Sequence, residues 1–545
     1  MNKNMNKKKI AAAAILPVFV FLLLPRSSPA SPQQGFGEVA FANSGPPSVQ
    51  SDFLLGLAQL HDFEYDDAAD HFKKAQKLAP DFALAYWGEA MTQNHPIWHE
   101  EDVKAAREIL IHLAPTPEAR LAKASTEREK LYLQSVEVLF GDGAKEERDR
   151  RYEAALAEIH RKFPDDVDGT AFYALAILGT VEHGRDFPTY MRAAALLEEV
   201  FPQYPHHPGV VHYLIHSYDD SVHAPLGLRA ARIYSRIAPE AAHAQHMTSH
   251  IFLSLGMWDD VVKSNETAMA IVNGARQKVG KGPGWCGHYN EWLEYGYLQQ
   301  GRVADARRIM EGCRATAEKL AAAAATSKSS GHEGMSMSGM TPAEMMVSSY
   351  AEMRAHFLID AQLWNDEAAR WKVPAGEYPF AESAFDYTDT IGAIRRGDLP
   401  AAREAATRTN ASGQRAAAAM KKMMNDSSMD DVFVIYNGEL HAMLAAAEGN
   451  SPDAVSELKS MAAKEHALPL EFGPPNIEKP TDELLGELLL QLHRPAEARD
   501  AFQAALIRTP GRKIDVDGLA RAEKEIAASA SANGAAKPAS SSPQH

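Results

Sequence analysis

The sequence predicts an all-α protein, a solenoid of antiparallel helical hairpins stacked into a superhelix. Three observations carry that reading. The chain has 545 residues, more than one compact core organises. Helix-period stretches ended by proline or glycine recur along it, with no run of alternating β-branched residues. Finally, one pattern of small, aromatic and proline residues appears near both ends. In the first copy, Gly56, Ala68, Phe72, Ala75 and Pro80 step by 12, 4, 3 and 5 residues; in the second, Gly486, Ala498, Phe502, Ala505 and Pro510 repeat those steps.

Each position in the pattern has a packing reason. Small residues let two antiparallel helices approach, the aromatic fills the gap between them, and the proline stops the second helix. Leu55 and Leu485 precede the two glycines. Segments 51–82 and 479–512 therefore resemble the tetratricopeptide repeat superfamily. The resemblance implies stacked hairpins whose first helices line a concave groove. It also implies a protein or peptide partner in that groove.

Taken in order, residues 1–30 read as an export signal. Met1–Lys9 carries four lysines and no acid, Ile10–Leu24 is an apolar run of 15, and Ser28-Pro29-Ala30 fits the small-x-small cleavage rule. The run is short for a bilayer span. The mature protein is expected from about Ser31, as an exported bacterial member of the superfamily, periplasmic or secreted. A flexible Pro/Gly/Ser-rich lead is expected over 31–50.

The first hairpin is expected at 51–61 and 65–78. Interior hairpins are degenerate. Second helices ending in proline fit 151–164, 192–205 and 227–239; first helices fit 169–180, 208–218 and 240–255. Further helices fit 259–272, 289–300 and 304–320. An N-terminal solenoid thus spans 51–320. A Gly/Ser/Met-rich linker is expected at 321–342, and a C-terminal solenoid at 343–526, with a looser break at 411–430. Residues 527–545 read as a disordered Ala/Ser/Pro tail.

Charge excludes some partners. A net charge of −16 opposes binding to nucleic-acid phosphates and docking on anionic lipid. Two cysteines, Cys286 and Cys313, cannot make a four-thiolate zinc site. Both fall in one hairpin, where a disulfide is the favoured reading and two inert core thiols the other.

The chemistry-bearing stretch is 205–260, which holds eight of the 22 histidines. His212 and His216 are spaced i, i+4; His243, His246 and His250 are spaced i, i+3, i+7. On a helix each set shares a face. Both sets fall on consecutive first helices, and His216 and His250 are 34 residues apart, one repeat. A ladder of His183, His216, His250 and His288 follows from the same spacing. Neighbouring helix axes about 8–10 Å apart let such imidazoles meet at one transition metal: zinc, copper or iron. Asp219, Asp220, Glu240 and Glu291 are the carboxylates within reach. HExxH is absent, so the helical zinc-protease arrangement is missing.

A weaker copper-type candidate is the loop carrying His332, Met335, Met337 and Met340, since thioether and imidazole suit Cu(I). Two functions therefore compete. One is an exported repeat scaffold holding a peptide, protein or small ligand in its groove. The other is a metal carrier or metal-dependent enzyme using His212, His216, His243, His246 and His250.

Overall fold

The computed structural model describes residues 31–535 except 34, 183, 327–339, 376–377 and 425–426. Among these are 23 α-helices and two antiparallel ladders of two residues per strand, Ser31–Pro32 with Glu38–Val39 and Asn94–His95 with Glu100–Glu101. The class is all-α, as the periodicity predicts. Consecutive helices pack on one another along the chain, and the apolar core is a succession of local clusters rather than one centre. That layout is what stacked repeats produce.

The terminal hairpins follow the repeated pattern closely. The first pairs Gln50–His61 with Tyr65–Leu78; the last complete one pairs Thr481–Gln491 with Pro495–Arg508. A Cβ on Gly56 would sit 3.2 Å from the Phe72 ring, and one on Gly486 would sit 2.8 Å from the Phe502 ring. The glycines are what allow the aromatic to lie flat between the helices.

Several expected boundaries move. Residues 31–50 are no loose lead. Phe41 is buried against Phe53, Trp87 and Tyr132, with ring centroids 5.0–5.9 Å apart, and the Glu38 amide donates to the His206 carbonyl at 3.0 Å. Three apolar residues of this lead, Val39, Phe41 and Val49, supply burial that outweighs its Pro/Gly/Ser content. The break expected at 411–430 is mostly helix, because Leu399–Met424 runs unbroken and the next helix starts at Ser428. Good helix formers there override the sequence's low hydrophobicity. The helix Lys513–Ala535 passes the expected boundary at 526. Helix Val303–Thr326 likewise enters the expected linker, and it packs against Pro342–Asp360, so the helical stack continues across that linker.

The chain also closes on itself. Trp258 Nε1 donates to the Gly511 carbonyl at 2.8 Å. Arg512, fully buried, reaches Tyr295 Oη and Asp360 Oδ1, both at 3.0 Å, and Glu483 Oε2 at 2.7 Å. Gly256 adopts φ +66°, and a Cβ there would meet the Pro510 carbonyl oxygen at 2.8 Å. Residues 469–512 thus pack back onto the middle of the chain. No described helix is long and apolar enough to cross a membrane.

Candidate metal centre

Two adjacent helices carry the histidines. Pro208–Tyr218 opens with proline at its first position, where a missing N–H costs nothing, and His207 Nδ1 accepts the Val210 amide at 3.3 Å. Ala242–Ser254 follows one hairpin later. Every residue of both helices is buried. Their histidines are therefore packed inside the fold and not displayed on an open surface.

The five expected histidines, with His288, form two triads of close donor atoms, and a further group, His216, Asp219 and His250, spans the two. Donor atoms of His212, His216 and His243 lie within 4.8 Å of one another, and so do those of His246, His250 and His288. Within the first set, His212 Nε2 and His243 Nε2 are 3.3 Å apart. In the second, His246 Nε2 and His250 Nε2 are 3.1 Å apart. The sets are neighbours, with ring centroids of His216 and His250 5.8 Å apart and those of His243 and His246 6.3 Å apart.

Most of the other ring nitrogens are anchored. His212 Nδ1–H donates to the His61 carbonyl at 2.7 Å. His246 Nδ1–H donates to Asn265 Oδ1 at 2.7 Å, and the Asn265 amide is fixed by its own donation to the Val261 carbonyl at 2.9 Å. His250 Nδ1–H donates to Asp219 Oδ2 at 2.9 Å. The same oxygen lies 3.4 Å from His216 Nδ1, so one carboxylate touches both sets. His243 Nδ1 is 3.3 Å from Tyr289 Oη. An Nδ1–H anchored to an oxygen leaves Nε2 with a lone pair, the arrangement found in metal-ligating histidines.

Charge bookkeeping sharpens this. Burial, then the neighbouring His288, holds His246 well below the usual histidine range; burial also lowers His250, against the pull of Asp219. Burial likewise depresses His212 and His243 well below that range. Both imidazoles of the 3.1 Å pair are therefore neutral near pH 7, with Nε2 lone pairs facing each other. His216 Nε2 is buried with no hydrogen-bond partner. Two nitrogens on one tetrahedral ion with bonds of 2.0–2.1 Å sit about 3.3 Å apart. The residues fit a cation better than they fit one another. Burial pushes the Asp219 carboxyl up, but Arg185, at 2.6 Å, together with His216 and His250, outweighs it and keeps Asp219 ionised.

The cluster His61–Asp168–His207 is a useful contrast. Its histidines each place Nε2 3.1 Å from Asp168 Oδ1, His61 Nδ1 meets Tyr213 Oη at 3.0 Å, and His207 Nδ1 has the Val210 amide. All four ring nitrogens are partnered, and no ion is required to explain them.

Other expected residues scatter. His206 meets Glu38 and His223 meets Asp220, both away from the sets. Asp220 pairs with Arg185 at 2.8 Å. Glu240 packs beside Gly35. His183, His332, Met335 and Met337 lie outside the described residues, while Met340 is described. Cys286 and Cys313 are joined in a disulfide with Cα atoms 4.7 Å apart. Sequence spacing placed His288 in the ladder, but the supporting residues His61 and Asn265 had no signal beyond their types.

A chamber of about 820 Å³ adjoins the second set. His288 and Trp292 form part of its wall, with Trp98, Leu253 and Trp258 from the N-terminal half and many residues of the C-terminal half. His288 is open to this space, yet the surrounding walls desolvate it and lower its pKa to about 3. His250 lies between Trp292 and Phe472, with centroids 4.5 and 5.0 Å away. Phe472 belongs to the proline-rich segment 469–480, so the chain's own residues occupy the space beside the histidines.

No family model and no curated protein matches the chain. Solved structures that resemble it include the APC/C hetero-tetramer Cut9–Hcn1, at 13% identity over 88% of this chain and 78% of that one, with a TM-score of 0.35. The P58(IPK) TPR domain matches at 12% identity over 88% and 99%, with a TM-score of 0.20. The human IFIT1 dimer with m7Gppp-AAAA matches at 14% over 92% and 92%, with a TM-score of 0.33. Scores this low add nothing to the fold, which rests on the chain's own helix packing.

Proposed function

We propose that this is an exported metalloprotein with two transition-metal positions, each held by three histidines. His212, His216 and His243 hold one ion; His246, His250 and His288 hold the other. The carrying observation is the facing of two neutral imidazole nitrogens, His246 Nε2 and His250 Nε2, at 3.1 Å, with both Nδ1 atoms already committed to oxygen acceptors. All-imidazole donors suit zinc and copper; iron accepts them too. Three protein ligands leave a coordination position open, as in metal sites that carry out chemistry rather than brace a fold. Because His288 borders the chamber, the second ion is the one a small molecule reaches. The reading favours a metal-dependent enzyme over a carrier. The Cys286–Cys313 disulfide fits the oxidising compartment that an export signal at 1–30 implies.

A protein-binding role, implied by the repeat architecture, belongs to surfaces away from the histidines, since Phe472 stacks on His250.

The test is elemental analysis of mature protein reconstituted separately with zinc and copper and freed of loose metal. Two ions per chain are expected, and one in His246→Ala. A chain that retains no ion and gains no thermal stability from either metal sinks the proposal.

A further inference from the structure

The lining of the chamber is acidic on balance, with six glutamates against Arg508 as its one arginine or lysine among the described residues. Glu291, Glu352 and Glu478 all line it. They are close enough that Glu291 and Glu478 act electrostatically on Glu352. No lysine or arginine side chain pairs with any of the three among the described residues. Glu478 accepts a hydrogen bond from Tyr436 Oη, and Glu291 bonds to Ser349. Glu352 has no hydrogen bond or ion pair.

Two further groups share this wall with Glu352, and one of them points to a ligand. Ser348 lies one turn before Glu352 and His356 one turn after, so all three share a face of the helix Pro342–Asp360. Both line the chamber and both are at least nine-tenths buried; Ser348 Oγ has no hydrogen-bond partner, while His356 Nδ1 lies 3.5 Å from Asp360 Oδ2. Buried polar atoms are nearly always satisfied, so Ser348 Oγ needs a partner that the chain does not supply, and the Glu352 carboxyl opens onto the same space. Desolvation by the chamber walls, then repulsion from Glu291 and Glu478, holds Glu352 well above the ordinary carboxylate range.

Arg508, Glu465 and Glu471 line another part of the chamber, and much of the rest is apolar and aromatic. Trp98, Trp292 and Phe472 line it, with Met353, Met420 and Met429. A hard divalent cation needs six or more oxygens at short range, and thioethers and indoles offer none. A cationic nitrogen on an apolar body matches both walls, through charge-assisted hydrogen bonds on one side and aromatic faces on the other. The volume suits a single small molecule.

We infer that the chamber binds an organic ammonium ion, its nitrogen held by Glu352 with Glu291 and Glu478, its apolar body against Trp292 beside His288. This deepens the metal-centre reading by naming a substrate class, and it rests on that reading only for what the ligand meets at His288. The carboxyl site itself stands on the chamber's own residues.

Calorimetry on the full mature chain tests it, with metal stripped and with zinc loaded. The probes are 2-phenylethylamine, 2-phenylethanol and 3-phenylpropanoate. The amine is expected to bind both forms, the alcohol at least about tenfold more weakly, the scale of one charge-assisted hydrogen bond, and the carboxylate not at all. Glu352→Gln is expected to cost the amine about tenfold or more, while Glu448→Gln, whose side chain pairs with Arg403 on the surface, leaves it unchanged. If Glu352→Gln loses its helical circular dichroism, Glu291→Gln is read in its place. Equal binding of amine and alcohol, no amine binding, or full amine affinity in a folded carboxyl variant overturns the inference. Amine binding by a chain that never holds metal sustains this inference and sinks the metal centre. Metal retention without an amine preference does the reverse.

Discussion

His246 and His250 sit one helical turn apart and face each other Nε2 to Nε2 at 3.1 Å, each with its other nitrogen committed to an oxygen, Asn265 Oδ1 for the first and Asp219 Oδ2 for the second. Neutral imidazoles so arranged repel. A cation between them turns the repulsion into coordination, and the testable consequences follow from that relationship.

Removing one ligand from each set in turn is expected to separate the two ions. His246→Ala should release the ion next to the chamber and keep the other, and His212→Ala should do the opposite. Copper-loaded protein read by electron paramagnetic resonance shows which environment survives; identical spectra for the two variants speak against two positions.

The supporting residues differ in reach. Asn265 orients His246 alone, while Asp219 contacts His216 and His250. Loss of such outer partners typically weakens metal affinity about 10–100-fold. Asn265→Ala is therefore expected to weaken one ion and Asp219→Asn both, measured by competition with a chromophoric chelator. A uniform effect of Asn265→Ala on both ions contradicts the assignment.

Acid should compete poorly for the second set. Burial lowers His246, His250 and His288, the last to about 3. Protons displace metal only as pH falls through these lowered values. Three histidines of ordinary pKa would lose roughly 500-fold in affinity between pH 7.0 and 5.5, from protonation alone. Here less than about tenfold is expected, by chelator competition at the two pH values.

Arg512 closes the molecule. It is fully buried and meets Asp360 and Glu483. Arg512→Met leaves two buried acids without their cation, a change that costs about 3–5 kcal/mol. Urea unfolding should show this, and the Trp258 indole, which donates to Gly511, should report the opening by fluorescence.

Reduction of Cys286–Cys313, which encloses a separation of 27 residues, is expected to cost on the order of 3 kcal/mol by loop-closure entropy. The measurement is urea unfolding of the Cys286→Ser, Cys313→Ser double variant against the oxidised protein.

Much of the fold was legible. The expected first helix at 208–218 coincides with Pro208–Tyr218, and 51–61 with 65–78 falls within a residue of Gln50–His61 and Tyr65–Leu78. These ends were readable because proline and the turn between helices punctuate them. The helices Ala83–Met91, Val103–Leu113 and Glu127–Leu139 went unread. The first is buried on every side, so it shows no amphipathic period. The lead at 31–50 looked loose because its few apolar residues gain meaning only against Trp87 and Tyr132, about 40 and 90 positions away.

Helical period and repeat length, both local properties of the chain, determined that histidines at 212, 216, 243, 246 and 250 share faces of adjacent helices. How those faces divide was a tertiary matter. Which nitrogen of each ring points inward depends on His61, Asp219 and Asn265, and these come from three different helices or turns. The return of residues 469–512 onto the middle of the chain depends on the superhelix's curvature, which sums small rotations over many hairpins. No single stretch encodes that sum, so the sequence could place the histidines in one neighbourhood, and only the closed structure separates them into two sets beside a chamber.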